Sequence, residues 1–281
     1  MQPARRAYSL PVRKLLKKGL EPAAKSLLIG VVHLQALPGA PRYGGNFESV
    51  LDAARQDASA LCEGGCNAII VENFGDVPFY LDVVPPETVA SMAIAVRAVI
   101  EVVGEVPVGV NVLRNDAPAA LGIAAATGAS FIRVNVHISA AVTDQGILQG
   151  QAATTVRERD RICPDVAILV DVHVKHATPL GSESPAESAN DAVHRGMADA
   201  VIITGAGTGR PPSREVLTHV RRFVGNSPIL IGSGLTDANA ERLLETANGA
   251  IVGTWFKYEG ELKAAVDPDR VRRLRELVDS L

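Results

Sequence analysis

Six consecutive residues, Asp171-Val172-His173-Val174-Lys175-His176, form the densest cluster of ionisable groups in the chain. Alternate side chains of an extended segment share a face, which puts Asp171, His173 and Lys175 on one side and Val172 and Val174 on the other. An Asp beside a His fixes its tautomer and keeps it basic, as general acid–base catalysis requires. Lys175 would supply positive charge for a phosphate or, if desolvated, an amine able to form a Schiff base with a carbonyl. The plainer use of these residues is a charge-balanced loop salt bridge. Other polar residues end short apolar runs: His33, Glu72 with Asn73 and Asp76, Asn111, and Asn135 with His137. Glu72 is the second candidate for proton transfer, and His33, Asn111, Asn135 and His137 suit hydrogen bonds to a substrate. Glu72 with Asp76, and Asn135 with His137, would complete with His173 either an acid–base pair or a metal site. Without H-x-x-x-H or H-E-x-x-H spacing no metal ligand set is expected, and no cofactor either.

A second signal lies nearer the C-terminus. Thr204-Gly205-Ala206-Gly207-Thr208-Gly209, Gly232-Ser233-Gly234-Leu235-Thr236 and Gly253-Thr254 each follow an aliphatic run. Glycines let an anion approach backbone N–H groups, so Gly205, Gly207, Thr208, Gly209, Gly232, Ser233, Gly234, Gly253 and Thr254 are the expected phosphate-binding residues. Three tight turns would use the same glycines. No Lys-Ser/Thr pair follows the first loop, which excludes a Walker loop.

These residues need eight strands to hold them. Apolar runs at Leu27–His33, Ala68–Glu72, Val108–Val112, Phe131–Asn135, Ala167–Val172, Ala200–Thr204, Ile229–Gly232 and Ala250–Val252 alternate with helical patterns. The helices are expected at Phe47–Glu63, Glu87–Val103, Ala117–Ala126, Gln151–Arg161, Pro185–Arg195, Ser213–Phe223, Asn239–Glu245 and Pro268–Leu281. Strands this apolar are buried on both faces in a parallel sheet, and eight such units close into a single (β/α)8 TIM barrel. No G-x-G-x-x-G follows the first run, which argues against a doubly wound sheet. The polar run ends then share the carboxyl rim, where barrel chemistry sits. Asp171, Glu72, Asn111 and Asn135 are expected on that rim, above an interior filled by residues such as Val110, Ile132 and Val170.

Composition narrows the class. The 281 residues are 47% hydrophobic and 21% charged, with 28 Lys+Arg against 31 Asp+Glu, a net charge of −3. That excludes a disordered chain and, with 4% aromatics, a general nucleic-acid binder. No apolar run reaches the ~18 residues of a transmembrane segment. Three cysteines, Cys62, Cys66 and Cys163, cannot all pair, which favours a reducing, cytoplasmic setting. Residues 1–26 carry seven basic residues against one acid, Glu21, and are read as a basic extension preceding a barrel at 27–281.

The chain resembles the BtpA family, also called BtpA/SgcQ-like, from about Ile29 to Lys257. The markers are Gly30 through Gly39 with His33 and Pro38, Gly65 through Asn73 with Glu72, Gly75-Asp76-Val77-Pro78, Phe131 through Val136, Asp171 through Ala177, and Ala198 through Gly205 with Thr208-Gly209. The resemblance implies a TIM-type barrel of the ribulose-phosphate-binding kind. The family takes its name from a cyanobacterial member tied to photosystem I biogenesis, and other members look like enzymes of sugar metabolism. Two functions follow: an isomerase, epimerase or aldolase-type lyase acting on a phosphorylated sugar or similar metabolite, or a non-enzymatic assembly factor of the kind linked to photosystem I biogenesis. The expected partners are a small phosphorylated metabolite and further copies of the chain in a homo-oligomer, with no nucleic acid.

Overall fold

The computed structural model describes residues 26–205, 207 and 209–281. The basic extension up to residue 25 lies outside the described residues, as does Thr208. In chain order the elements are β1 (Leu27–His33), α1 (Phe47–Glu63), β2 (Ala68–Glu72), α2 (Pro86–Val103), β3 (Val108–Asn111), α3 (Ala117–Thr127) and β4 (Phe131–Val134). Next come β5 (Ala140–Thr143), β6 (Gly146–Gln149), α4 (Ala152–Ile162), β7 (Ala167–Val172), β8 (Ala177–Pro179) and α5 (Pro185–His194). The chain ends with β9 (Ala200–Ile203), α6 (Arg214–Val224), β10 (Ile229–Ile231), α7 (Ala240–Leu244), β11 (Gly249–Val252) and α8 (Pro268–Ser280). Eight strands close in the order β1-β11-β10-β9-β7-β4-β3-β2, all pairs parallel, with helices around them. Polar side chains start several helices: Asn46, Asp116, Ser184 and Ser213 each accept from a first-turn amide, with a full capping box at Ser184 and Glu187.

The two-residue period of a strand sorts its side chains. Leu27, Ile29 and Val31, Ile70, Phe131, Leu169, Ile202, Leu230 and Ile251 fill the barrel. Their neighbours pack outward in the cluster shared with the helices, and Val110, Ile132 and Val170 are among these. This corrects the expected interior: a strand that aims Asn111 or Asp171 inward must aim Val110 or Val170 outward. Gly109, level with Phe131 on the next strand, leaves room for the ring; a Cβ there would stand 2.2 Å from Phe131 Cε2.

The sequence reading lacked one element. β5, β6 and β8 form a separate antiparallel sheet in the order β6-β5-β8, built from the loops after β4 and β7. Ala141 and Leu148 pack under it with Val136 and Val174. Cys62, Cys66 and Cys163 are free thiols. Among the described residues, no helix is long and apolar enough to cross a membrane.

Candidate active site

The inward period that fills the barrel with aliphatics continues to the strand ends, where it delivers polar groups. A cavity of about 500 Å³ opens there, lined by His33, Glu72, Asn111, Arg114, Arg133, Asn135, Lys175 and the loops after β10 and β11. Arg133 is the hub of its floor. Its Nε and Nη2 donate to Oδ2 and Oδ1 of Asp171 at 2.9 and 3.0 Å, and its Nη1 donates to Glu72 Oε1 at 3.0 Å. Asn135 donates to Asp171 Oδ2 at 2.6 Å, and Asn111 to Glu72 Oε1 at 3.0 Å. Burial weakens the charged form of Arg133, but Asp171 and Glu72 outweigh it and raise its pKa, so the guanidinium stays charged.

The two carboxylates therefore differ. Asp171 has a fully buried side chain and both oxygens committed to Arg133 and Asn135. Glu72 Oε1 is committed, while Oε2 makes no hydrogen bond to a described residue. Burial would raise the Glu72 pKa, yet Arg133, His33, Asn111 and Lys175 together hold it below the ordinary carboxylate value. Lys175 lines the cavity and makes no ion pair among the described residues. Burial lowers its pKa, as does Arg133, against the opposing pull of Glu72 and Asp171. His33 packs against Phe74 in a tilted arrangement, with ring centroids 4.6 Å apart. Burial drives its pKa down to about 4, with Lys257 and Lys175 adding to the effect and Glu72 opposing it, so the ring is neutral at pH 7.

His173 departs from the expected array. β7 ends at Val172, and His173 has φ +50, which breaks the alternation that would align it with Asp171. Its Nε2 lies 3.1 Å from Ser188 Oγ on α5, and it lines a separate pocket of about 50 Å³. The Asp171–His173 couple is absent because Arg133 holds the carboxylate inside the barrel. His137 is also elsewhere: its Nε2 sits 2.8 Å from the Gly196 carbonyl, away from the cavity lining. Asp76 braces two loops, accepting from the Leu37 amide at 2.8 Å and from Asn73 at 3.1 Å. Among the described residues, no group of three or more His, Cys, Asp or Glu side chains is placed to hold a metal ion.

The glycine loops divide in the same way. Gly209, Gly232, Ser233, Gly234, Gly253 and Thr254 line the cavity, whereas Gly205 and Gly207 do not. Chain packing alone requires some of these glycines. A Cβ on Gly205 would meet the Arg210 carbonyl at 2.3 Å, and one on Gly234, at φ +75, would meet Pro211 N at 2.3 Å. The Gly232 amide is already used on Ile203 O at 2.9 Å. The amides of Ser233, Gly234 and Thr254 donate to no described residue. Four residues missed in the sequence also line the cavity: Arg133, Arg114, Trp255 and Arg270, whose guanidinium lies 4.2 Å over the Trp255 ring. A signal for Arg133 was present, since it stands two residues before Asn135 and shares its face. Arg114 comes from a loop and carried no such signal.

Fold and rim together define a (β/α)8 barrel with a charged cavity at its carboxyl end. The chain belongs to the BtpA family, whose model matches residues 24–280. It is 46% identical over 244 residues to the photosystem I biogenesis protein BtpA of Synechocystis sp., covering 87% of this chain and 85% of that one. In structure it is similar to OMP decarboxylase of Leishmania donovani, with TM-score 0.62 and 14% identity over 96% of this chain and 98% of that one. It is likewise similar to a Mycobacterium tuberculosis tryptophan synthase chain, with TM-score 0.58 and 19% identity over 96% and 95%. At such identities the structural likeness establishes the fold.

Proposed function

We propose that the protein is an enzyme acting on a small phosphorylated metabolite by acid–base chemistry beside a carbonyl, as an isomerase, epimerase or aldolase-type lyase. The observation that carries this reading is the unequal commitment of the charges around one cavity. Arg133 and Asp171 are committed to each other and to their neighbours, whereas Glu72 Oε2 and the Lys175 ammonium remain available beside them. Glu72 is the group to move a proton, and Lys175 the group to stabilise the resulting oxyanion or to form a Schiff base. Asp171 positions Arg133 and so acts through it. His33, Asn111 and Asn135 line the substrate space, and the free amides of Ser233, Gly234 and Thr254 supply donors for a phosphate. The protein is read as cytoplasmic, with free thiols in keeping with that setting.

The test is hydrogen exchange in D2O with a panel of phosphorylated aldoses and ketoses, read by proton NMR. One panel member should lose its C–H signal next to the carbonyl, and Glu72→Gln should abolish the loss while leaving ligand binding within a few-fold. Exchange that survives Glu72→Gln would refute the assignment. The second reading, an assembly factor like the cyanobacterial relative, has one observation in its favour. Val142, Ile147 and Leu180 are exposed on the outer face of the small sheet. Such a factor would show no exchange with any panel member.

A further inference from the structure

Charge pairing within the cavity is uneven. Arg133 has two carboxylates, but Arg114, only 6% exposed, has none within 4.0 Å among the described residues. Its Nη2 donates to the Lys175 carbonyl at 2.9 Å, and its buried Nε has no partner. Asp171 and Asp144 act on it only from farther away. The Lys175 side chain, the neighbouring cation, also makes no ion pair among the described residues. A guanidinium does not shed its proton, so an unpaired buried one favours an anion from outside. Two cations close together repel each other, and one anion between them relieves both.

We propose that the cavity takes a ligand with two anionic groups, its phosphate at the Ser233–Gly234 and Thr254 loops and a carboxylate or second phosphate at Arg114 and Lys175. The inference rests on the phosphate reading above and adds the substrate class: a sugar acid phosphate or a sugar bisphosphate. β3, which leads into Arg114, lies four strands from β10 around the eight-stranded ring, so the two ends face each other across the mouth. A single cavity of about 500 Å³ spans them, a volume suited to one small metabolite. The planar fork of Arg114 matches a carboxylate or phosphate edge, which a hydroxyl cannot replace.

Calorimetric titration of the full chain tests this with matched probes: glucitol 6-phosphate against 6-phosphogluconate, and fructose 6-phosphate against fructose 1,6-bisphosphate. At least one doubly anionic probe should bind about tenfold or more tightly than its partner, as a charged hydrogen bond gained or lost implies. Arg114→Gln should remove that preference and leave the singly anionic probes unchanged. Lys175→Met gives a second reading should Arg114→Gln fold poorly. Equal binding within both pairs overturns the inference while leaving the phosphate reading standing. A preference that survives both substitutions also overturns it. If no phosphorylated probe binds, the phosphate reading falls and the inference with it.

Discussion

Asp171→Asn separates a positioning carboxylate from a catalytic one. The wild-type side chain is fully buried and accepts three hydrogen bonds, two of them the bidentate pair from Arg133 at 2.9 and 3.0 Å. Asparagine has nearly the same shape but turns an N–H group towards the guanidinium and removes the charge. At an effective dielectric of about 20, unit charges ~4 Å apart interact by about 4 kcal/mol. Breaking a buried pair by removing one partner costs about 3–5 kcal/mol, which agrees. For a barrel of this size, about 4 kcal/mol lowers Tm by roughly 8–16 °C. The assay is urea unfolding followed by circular dichroism and by the single tryptophan, Trp255, with Arg133→Met and the double variant completing a cycle. The coupling energy between Asp171 and Arg133 should exceed about 2 kcal/mol. A loss below about 1 kcal/mol with no coupling would mean that the carboxylate is free for proton transfer, and the positioning role assigned to it would be wrong.

Other outcomes follow from the same geometry. His33 has its pKa lowered to about 4 by burial, so its neutral form contributes stability that is complete above pH 6.5 and is lost as the pH falls from 6.5 towards 4. The contribution is on the order of 3 kcal/mol, and His33→Gln should flatten that part of a stability–pH curve measured by urea unfolding. His173→Asn should leave phosphorylated-ligand affinity unchanged in titration calorimetry, because His173 bonds Ser188 outside the cavity; a tenfold loss would return it to the site. If Lys175 forms a Schiff base, borohydride with substrate should tag it in peptide mass spectrometry, and Lys175→Arg should abolish the tag. Gly109→Ala should destabilise the barrel by about 1–3 kcal/mol in urea unfolding, since its Cβ would collide with the Phe131 ring.

The barrel was legible because eight aliphatic runs, each followed by a helical period, leave little other topology. Expected and observed strand limits differ by a residue at most, as at Val108–Asn111 and Gly249–Val252. Glu72, Asn111 and Asn135 were legible as strand ends. What failed was parity. Alternation was applied to Asp171, His173 and Lys175, past the end of β7, but not to Val110, Ile132 and Val170, where it held. The left-handed backbone at His173 has no local signature, since few non-glycine residues adopt it and nothing beside His173 marks it as one that does. The small sheet was carried by Thr143-Asp144-Gln145-Gly146, a turn between short polar-flanked strands. The glycine pattern has two causes that sequence cannot separate, because close approach of Arg210 and Pro211 demands Gly205 and Gly234 just as a phosphate would. The placing of Arg114 over Lys175 depends on the loops after β3 and β7 meeting in space, which no local pattern encodes.

The most direct measurement is the thermal shift of the full chain with sugar phosphates and their dephosphorylated counterparts. A phosphorylated ligand at 100 times its Kd adds about 2.7 kcal/mol, which should raise Tm by roughly 5–10 °C. The account predicts such a rise for at least one phosphorylated member and none for its neutral counterpart. Equal shifts for phosphorylated and neutral sugars, or no shift with any phosphorylated member, would contradict it.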